Sequence, residues 1–246
     1  MLNVKDVQSL HDSRRINIRK VGVKNISYPI TLLDKSHKTQ QTVASVNMYV
    51  NLPHRFKGTH MSRFVEILNQ FHGRFNLETL QLILQEMKER LDAETAHLEI
   101  TFPYFFVPKA ATSGAYSKRY DCRMLGSLSA ELDLLIEVTV PIELTPITPA
   151  DGKTGSTGFW GKTTVSVRLN HFLWLEDLVE LIEQSVQQHL GDQDGVEQLS
   201  NRIAQALDGN PALSWYKAVV ENISCDYTTS ATAVGGCGEK PTQPLD

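Results

Sequence analysis

Cysteine is scarce in this chain: Cys122, Cys225 and Cys237 are the three cysteines among 246 residues, and they lie far apart. An odd, scattered set excludes a disulfide framework and a zinc motif of closely spaced cysteines, and it fits a reducing compartment. Long apolar runs are also missing, since none approaches the roughly 20 residues of a membrane-spanning helix. Residues 1–15 are polar and of mixed charge, so no signal peptide is expected. We therefore predict a cytoplasmic protein without a membrane partner.

An excess of positive charge is lacking as well. The 24 Lys and Arg residues are outnumbered by 28 Asp and Glu residues, which gives a net charge of -4. Binding to a nucleic-acid backbone needs a large basic face, so no nucleic-acid partner is expected. Apolar residues make up 41% and charged residues 21% of the chain, as in ordinary globular proteins.

The apolar periodicity of what is present predicts the fold class α+β. Strands are predicted over 16–33, 40–52, 95–107, 118–128, 132–144 and 163–170. Helices are predicted over 61–72, 77–91, 172–189, 196–207 and 212–223, with Asn76 as the cap of the second. Because strands followed by helices occur twice, we predict two tandem modules, 1–115 and 116–225, each a sheet backed by helices. Residues 226–246 are rich in Gly, Thr, Ala and Pro and are predicted to be disordered.

A long connection is predicted from Thr145 to Lys162. It contains Pro146, Pro149 and several glycines. Loops of this length within a compact domain are usually functional or disordered. Its glycine spacing does not indicate a dinucleotide site, because no helix is predicted to start there.

A basic cluster lies at the predicted junction between the second strand and the first helix. The cluster consists of His54, Arg55, Lys57, His60 and Arg63. Backbone N–H groups at a helix start attract anions, and nearby Lys and Arg add charge. The cluster can therefore form a pocket for a phosphate or carboxylate, or it can be a solvated turn before a basic helix. Spacing alone favours the solvated turn.

The motif at this junction changes that balance. Residues 57–64 read Lys-Gly-Thr-His-Met-Ser-Arg-Phe, which closely resembles GTP cyclohydrolase type IB. The resemblance extends back to Asp6-Val7-Gln8 and forward through Tyr104-Phe105-Phe106 and Tyr120-Asp121-Cys122-Arg123 to Val138-Thr139-Val140-Pro141. It implies a tunnelling fold (T-fold) of two tandem antiparallel sheet-plus-helix-pair modules, assembled as a homotetramer with ligand sites between subunits. It also implies hydrolysis of GTP to dihydroneopterin triphosphate with a divalent metal.

The later positions of the family pattern are occupied differently. The family's Cys-Pro-Cys run falls on Thr145-Pro146-Ile147, its metal-binding His falls on Phe159, and its Arg becomes Lys162. Its two later carboxylates fall near Ser200 and on Trp215. A catalytic metal needs about three N, O or S ligands, and neither phenylalanine nor isoleucine can bind one. We therefore predict that the chain has no metal and no other cofactor.

Replacement ligands are not evident nearby. The stretch between Cys122 and His171 contains neither His nor Cys. Glu176, Glu180 and Glu183 share one face of a predicted helix, and we interpret them as a solvated acidic face. His171 is interpreted as a strand-end residue and Cys122 as a core residue.

Three functions remain open. The first, which we prefer, is a repurposed metal-independent enzyme that carries out cyclisation, hydrolysis or similar acid/base chemistry on a planar or anionic small molecule in a biosynthetic pathway. The second is a non-catalytic paralogue that binds a pterin or purine. The third is a true GTP cyclohydrolase I with displaced metal ligands. A homo-oligomer, tetramer or dimer, is expected in each case.

The preferred hypothesis assigns roles to individual residues. His60 and Arg63 are the predicted catalytic residues. His60 is chosen because histidine side chains ordinarily titrate near neutral pH and can act as general acid or base. The predicted ligand-binding residues are His54, Lys57, Thr59, Ser62, Thr145, Phe159, Trp160, Lys162 and Trp215. The side chains of Thr145, Phe159 and Trp215 are expected to converge on one cleft near His60, contributed by the same or a neighbouring subunit.

Overall fold

The computed structural model describes residues 18–35, 39–52, 60–71, 75–107, 117–144, 159–187, 195–223 and 226–237. Four of the predicted ligand-binding residues, His54, Lys57, Thr59 and Thr145, lie outside these ranges. For Phe159 and Trp160 the backbone is described, whereas their side chains are not.

The strands form an eight-stranded sheet in which each strand neighbours the next one along the chain. They are β1 Ile18–Leu33, β2 Thr39–Leu52, β3 Ala96–Phe106, β4 Lys118–Leu128, β5 Leu132–Leu144, β6 Phe159–Leu169, β7 Leu213–Ile223 and β8 Thr228–Gly236. The pairs β1–β2, β2–β3, β5–β6, β6–β7 and β7–β8 are antiparallel. The predicted α+β class is confirmed.

The helices fall into two pairs, one after β2 and one after β6. They are α1 Met61–Gln70, α2 Leu77–Arg90, α3 Leu175–Gln187 and α4 Val196–Asp208. The predicted cap of α2 is confirmed, because the Asn76 side chain accepts a hydrogen bond from the Thr79 N–H at 2.7 Å. The Thr79 hydroxyl accepts in return from the Asn76 N–H at 2.9 Å, which completes a capping box. Among the described residues, no helix is long and apolar enough to cross a membrane.

The chain forms two compact units. One comprises the described residues of Met1–Pro103 and Arg123–Leu134, and the other those of Tyr104–Cys122 and Leu135–Asp246. These units differ from the contiguous division at residue 115, because the long strands β3 and β4 each contribute to both. Each unit therefore contains one of the two helix pairs.

Each unit has a core between one side of its strands and the apolar faces of its helices. In the first unit, alternate β2 residues are buried and pack in a layer with β3 and with the helices: Val46, Met48, Val50, Leu98, Ile100, Phe64, Ile67, Leu80, Ile83 and Leu84. In the second unit the buried set is Val138, Val140, Val165, Val167, Ala218, Val220, Leu178, Val179, Ile182, Leu199, Ile203 and Leu207. Because successive strand residues point to opposite faces, the residues between these lie on the other side of the sheet.

The prediction of a helix over 212–223 is wrong, since these residues form β7. Trp215, Tyr216, Ala218 and Val220 are buried in the strand. Their spacing fits one face of a helix, and it also fits a strand that buries one aromatic residue on each side. Apolar periodicity alone does not distinguish a helix from a strand in so short a run. Pairing with β6 on one side and β8 on the other settles it.

Two other boundaries also differ from the predictions. Residues 228–236 form β8, so the predicted disorder of 226–246 is wrong for this part. Its Thr, Ser and Ala residues look like a polar tail, but their backbone groups pair with β7 from Ile223 to Trp215. Strand β6 begins at Phe159, four residues before the predicted start, and thereby shortens the predicted long connection.

Gly235, near the end of β8, allows the Tyr216 side chain of β7 to pass close to the β8 main chain. The Tyr216 hydroxyl donates a hydrogen bond to Asp208 Oδ1 at 3.2 Å, which joins β7 to the last turn of α4. A Cβ atom at Gly235 would lie 2.2 Å from the Tyr216 hydroxyl oxygen, so no other residue fits without displacement.

Two buried tyrosine–carboxylate pairs hold α3 against the sheet. The Tyr104 hydroxyl donates to Glu176 Oε1 at 2.6 Å, and the Tyr120 hydroxyl donates to Glu183 Oε1 at 2.7 Å. Lys118 Nζ adds a salt bridge to Glu183 at 2.9 Å. Hydrogen bonds to a charged group in a buried place are among the stronger ones.

Removing one of these donors tests their contribution. We expect Tyr104→Phe to lower the free energy of unfolding by about 1–3 kcal/mol, because a buried carboxylate loses its donor. Urea denaturation followed by circular dichroism measures this value. The control Tyr227→Phe, at a side chain that is 68% exposed, should stay within about 0.5 kcal/mol of the wild type. Equal effects of the two variants would contradict the assignment.

Candidate functional site

The start of α1 carries the described part of the predicted basic junction. His60 is the N-cap residue with extended backbone (φ -78°, ψ 107°), and its side chain makes no capping hydrogen bond. The Arg63 N–H donates to the His60 carbonyl at 3.1 Å. His60 is half-buried, whereas Ser62 and Arg63 are exposed. The structure therefore brings three of the predicted site residues together in the first turn of a helix.

Arg63 also has a structural contact. Its Nη1 donates to the carbonyl of Arg90 at 3.2 Å. Arg90 is the last residue of α2, where carbonyls have no partner within the helix and the helix dipole is negative. Arg90 in turn contacts Glu66 of α1 at 3.1 Å. Arg63 thus ties the start of α1 to the end of α2, and its catalytic role stays a prediction.

Lys162 lies on the face of β6 that does not contribute to the core. It pairs with Pro141 of β5 and Glu221 of β7. Its Nζ contacts Glu221 Oε2 at 3.0 Å, with the two side chains 42% and 27% exposed. A pair this exposed contributes little to stability, so a ligand anion can compete for the ammonium group at small cost.

Trp215 lies near the start of β7, between Arg168 of β6 and Gly236 of β8. Its side chain is 3% exposed, and the indole Nε1 has no hydrogen-bond partner. The Arg168 guanidinium carbon lies 5.7 Å from the centre of the indole ring, within the range of a cation–π interaction. The predicted ligand-binding residue is therefore a buried donor beside a cation.

The strand register separates Trp215 from Phe159. Phe159 pairs with Leu144 at the start of β6, whereas Trp215 pairs with Arg168, nine residues further along the same strand. At about 3.3 Å per residue these positions are about 30 Å apart. Within one chain the two residues do not line one cleft, and their convergence between neighbouring chains stays a prediction.

Several buried polar atoms in the second unit have no hydrogen-bond partner within the described part of the chain. Besides Trp215 Nε1 they are Thr163 Oγ1, Glu183 Oε2, Ser200 Oγ and Asn222 Oδ1. Thr163 pairs with Val220 and Gly161 pairs with Asn222, so Thr163 and Asn222 are diagonal neighbours on the core side of the sheet. Buried polar atoms require a partner such as water or a ligand.

The acidic helix face differs from its predicted state. Glu176 and Glu183 are 7% and 5% exposed, so the interpretation as a solvated face is wrong for both. Both carboxylates are buried because they accept hydrogen bonds from tyrosines of β3 and β4. The sequence of the helix by itself does not indicate these partners. Cys122 is 1% exposed, and burial, with the charges of Asp121 and Glu176, raises the pKa of its thiol to about 12. Its assignment to the core is confirmed.

A polar network on the first unit was not anticipated from the sequence. On the side of the sheet away from the core, Glu99 Oε2 accepts from Asn47 Nδ2 at 3.0 Å, and Glu99 Oε1 accepts from Arg123 Nε at 2.8 Å. Lys20 Nζ lies 4.2 Å from the centre of the Tyr49 ring beside them. The sequence signal was the alternation of polar and apolar residues in β3, but the partners depend on the register of β2 and β3.

The charges of this network shift the titration of its members. Burial acts to raise the pKa of Glu99, but the hydrogen bonds from Asn47 and Arg123 and the charges of Arg123 and Lys20 outweigh it, so the pKa lies below its usual value. Burial and the charge of Lys20 lower the pKa of His97, which is paired with Tyr49.

A family model supports the resemblance noted in the sequence. The model described as type I GTP cyclohydrolase folE2 matches residues 4–192. Among curated proteins, GTP cyclohydrolase FolE2 of Geobacter metallireducens is 42% identical over 252 residues, covering 95% of this chain and 97% of that protein. GTP cyclohydrolase FolE2 of Syntrophus aciditrophicus is 41% identical over 251 residues, covering 93% and 97%.

Uricases are among the solved structures with a similar fold. The uricase from Arthrobacter globiformis matches with a TM-score of 0.59 at 9% identity, covering 92% of this chain and 96% of that one. Urate oxidase from Bacillus sp. TB-90 matches with a TM-score of 0.59 at 8% identity, covering 89% and 100%. At this identity the likeness shows the fold alone, which is the predicted tunnelling fold.

The Glu99 network yields a pH-dependent prediction. Because the pKa of folded Glu99 is lowered, its contribution to stability is present above the pKa of the unfolded chain and is lost as the pH falls through the folded pKa. We expect Glu99→Gln to lower the free energy of unfolding by roughly 1–2 kcal/mol at pH 7.

The difference between wild type and Glu99→Gln should shrink in acid, at pH values below the folded pKa of Glu99. Urea denaturation at a series of pH values measures it, with Glu78→Gln on the exposed side of α2 as the control. A difference that is independent of pH would contradict the role of the charge.

Proposed function

The chain belongs to the type I GTP cyclohydrolase FolE2 family, and we propose that it is a member that acts without the divalent metal that its family resemblance implies. In this proposal it carries out cyclisation, hydrolysis or similar acid/base chemistry on a planar or anionic small molecule in a biosynthetic pathway. The family membership rests on the matched model and on the relatives that are more than 40% identical over almost their whole length.

One observation carries the proposal: the sequence between Cys122 and His171 contains neither His nor Cys. The positions that resemble the family's metal ligands hold Thr145 and Phe159, and the third falls near Ser200. The Ser200 hydroxyl is buried and neutral and has no partner among the described residues. Two hydroxyls and a phenyl ring do not fit a divalent metal that prefers His, Cys or carboxylate ligands.

The first turn of α1 supplies the groups that we assign to the chemistry. We assign proton transfer to His60, the N-cap residue of α1, because imidazole is the commonest general acid or base. Ser62 and the helix N–H groups, together with Lys57, bind the anionic part of the ligand. Arg63 adds positive charge to the same turn and is oriented by its bond to the Arg90 carbonyl.

The second function is that of a true GTP cyclohydrolase I whose metal is held by residues at other positions. The extent of identity to proteins named GTP cyclohydrolase FolE2 favours it. The assays of metal content and neopterin formation described below distinguish it from the preferred function. A third, binding of a pterin or purine without turnover, would appear as saturable binding with no product.

Metal content and neopterin formation test the preferred function. We expect protein purified without chelators to contain less than about 0.1 equivalents of zinc, iron or manganese by mass spectrometry, because the ligand set binds them weakly. After incubation with GTP and each metal, no fluorescent neopterin should form. One tightly held metal per chain, or metal-dependent neopterin, would overturn the proposal and establish the second function.

A restored ligand set provides the matched control. The triple variant Thr145→Cys, Phe159→His, Ser200→Glu should gain about one equivalent of zinc, and Thr145→Ser, Phe159→Tyr, Ser200→Thr should gain none. Circular dichroism checks that both fold. If the restored variant stays free of metal while folded, the residues assigned as former ligand positions are wrong.

We further propose that the chain works as a homo-oligomer, a dimer or tetramer. Strands β1 and β8 end the strand order, so each has one neighbouring strand within the described part of the sheet. An exposed edge strand favours pairing with another chain. The apolar side chains of Val43, Ile223 and Val234, which are 60%, 44% and 52% exposed, lie on strands at or beside these edges.

Sedimentation equilibrium measures the assembly directly. The chain mass is 27.6 kDa, and we expect a single species of two or four chains at micromolar concentration. A species of one chain across the whole concentration range would contradict the proposal.

A further inference from the structure

Strand β1 of the first unit contains two irregularities in its pairing with β2. One lies between residues 18 and 21 and the other between residues 23 and 26. Each contains one lysine, Lys20 in the first and Lys24 in the second. An extra residue in one strand of a pair bends that strand and re-aims its side chains, and such bulges are frequent beside functional sites. The positions of the two lysines are therefore set by the bulges.

Both lysines reach the same tyrosine ring. Lys20 Nζ lies 4.2 Å and Lys24 Nζ lies 5.8 Å from the centre of the Tyr49 ring. Tyr49 follows the buried Met48 in β2, so its side chain lies on the side away from the core, where it is nevertheless 7% exposed. One cation suffices for a cation–π contact, whereas a second adds repulsion between like charges. Covering the ring therefore does not account for the pair of lysines.

The backbone beside Lys24 is held in an uncommon conformation. Asn25 has a φ of 57°, which few residues other than glycine adopt. Its N–H donates to Asn47 Oδ1 at 2.7 Å, and Asn47 Nδ2 donates to Glu99 Oε2 at 3.0 Å. Such a conformation persists where the surrounding contacts determine it. The second bulge is thus fixed by a hydrogen-bonded network, and with it the direction of Lys24.

The neighbouring groups do not neutralise the two ammonium groups. Glu99 feels the charge of Lys20, but its Oε1 accepts a hydrogen bond from Arg123 Nε at 2.8 Å. Burial and the charge of Lys20 lower the pKa of His97, so its imidazole stays uncharged at neutral pH. Within the described part of the chain neither lysine forms a salt bridge. Two exposed positive charges therefore remain together on a chain whose net charge is -4.

From this geometry we propose that Lys20 and Lys24 form a binding site for a diphosphate group, with one phosphoryl group against each ammonium. Lysine binds phosphate as a point charge with three donors, and both side chains are exposed, so the anion reaches them from solvent. Free pyrophosphate and the diphosphate of a nucleotide share this chemistry. The site does not use the turn of α1 to which the proposed function assigns an anion, and it does not depend on that function.

Titration with inorganic pyrophosphate tests the site. We expect the wild type to bind it with a dissociation constant below about 1 mM at low ionic strength, and more weakly as salt screens the charges. Lys20→Gln and Lys24→Gln should each weaken binding about five- to tenfold, because each removes one charge-assisted hydrogen bond. Isothermal titration calorimetry measures the affinities, and circular dichroism checks that the variants fold.

Two further variants locate the effect. Lys35→Gln makes the same change just beyond the other end of β1, eleven residues after Lys24. Because this position lies several Debye lengths along the strand, the affinity should stay within about twofold of the wild type. Arg63→Gln alters the turn of α1, and the binding lost in the Lys20 and Lys24 variants should be retained in it.

Adenosine diphosphate, titrated in parallel, distinguishes the two sources of the diphosphate group. An affinity equal to that of pyrophosphate supports a site for the diphosphate alone, and a higher affinity supports a site for a nucleotide. In both cases the Lys20 and Lys24 variants should lose affinity for the two ligands by the same factor.

Three results would overturn the inference. They are no binding of pyrophosphate by the wild type, an equal loss in Lys35→Gln, and a loss in Arg63→Gln with none in the Lys20 and Lys24 variants. The metal-independent function is judged by the metal content of the purified protein, so failure of one proposal leaves the other standing.

Discussion

In each of the two units the helices pack against one side of that unit's own strands, and the strand register has to satisfy this constraint. Each strand has to turn its apolar side chains to that side, as Val46, Met48 and Val50 do in β2. The residues between them lie on the opposite side of the strands. That side carries the Glu99–Arg123 contact in the first unit, and the Lys162–Glu221 contact and Trp215 in the second unit. A slip of one residue between β6 and β7 would put Lys162 and Arg168 into the core. The strand register that buries the core residues therefore also determines which residues lie on the polar face.

Much of this architecture could be predicted from the sequence. Long strands with clear alternation, such as β2 and β3, and the helix that starts after Asn76 follow directly from local periodicity and capping. Strand β7 could not, because its buried pair of aromatics obscures the alternation and its strand state depends on two neighbours that are distant in sequence. Strand β8 was missed for a related reason, since an edge strand with one partner can be built from polar and small residues.

The candidate site was predictable in part. The motif at the start of α1 locates His60, Ser62 and Arg63 in one helical turn, because residues so close in sequence have little freedom to separate. The long-range part depends on register: nine residues of β6 separate Phe159 from the partner of Trp215. The burial of Glu176 and Glu183 likewise depends on tyrosines contributed by other strands. The sequence alone does show which types of metal-ligating side chain a segment offers. The segment between Cys122 and His171 offers neither His nor Cys.

The crossing of Tyr216 beneath β8 has a mechanical consequence. Its hydroxyl reaches Asp208 only because Gly235 leaves the space open. The same pair of glycines ends the strand that flanks Trp215, with Gly236 in a left-handed conformation (φ 90°). The hydroxyl thus fixes β7 to the last turn of α4, and it passes the main chain of β8 at a position that carries no side chain. A side chain at Gly235 would meet the Tyr216 phenol and one at Gly236 would meet the Ser214 carbonyl, so either substitution requires the phenol or the facing main chain to give way.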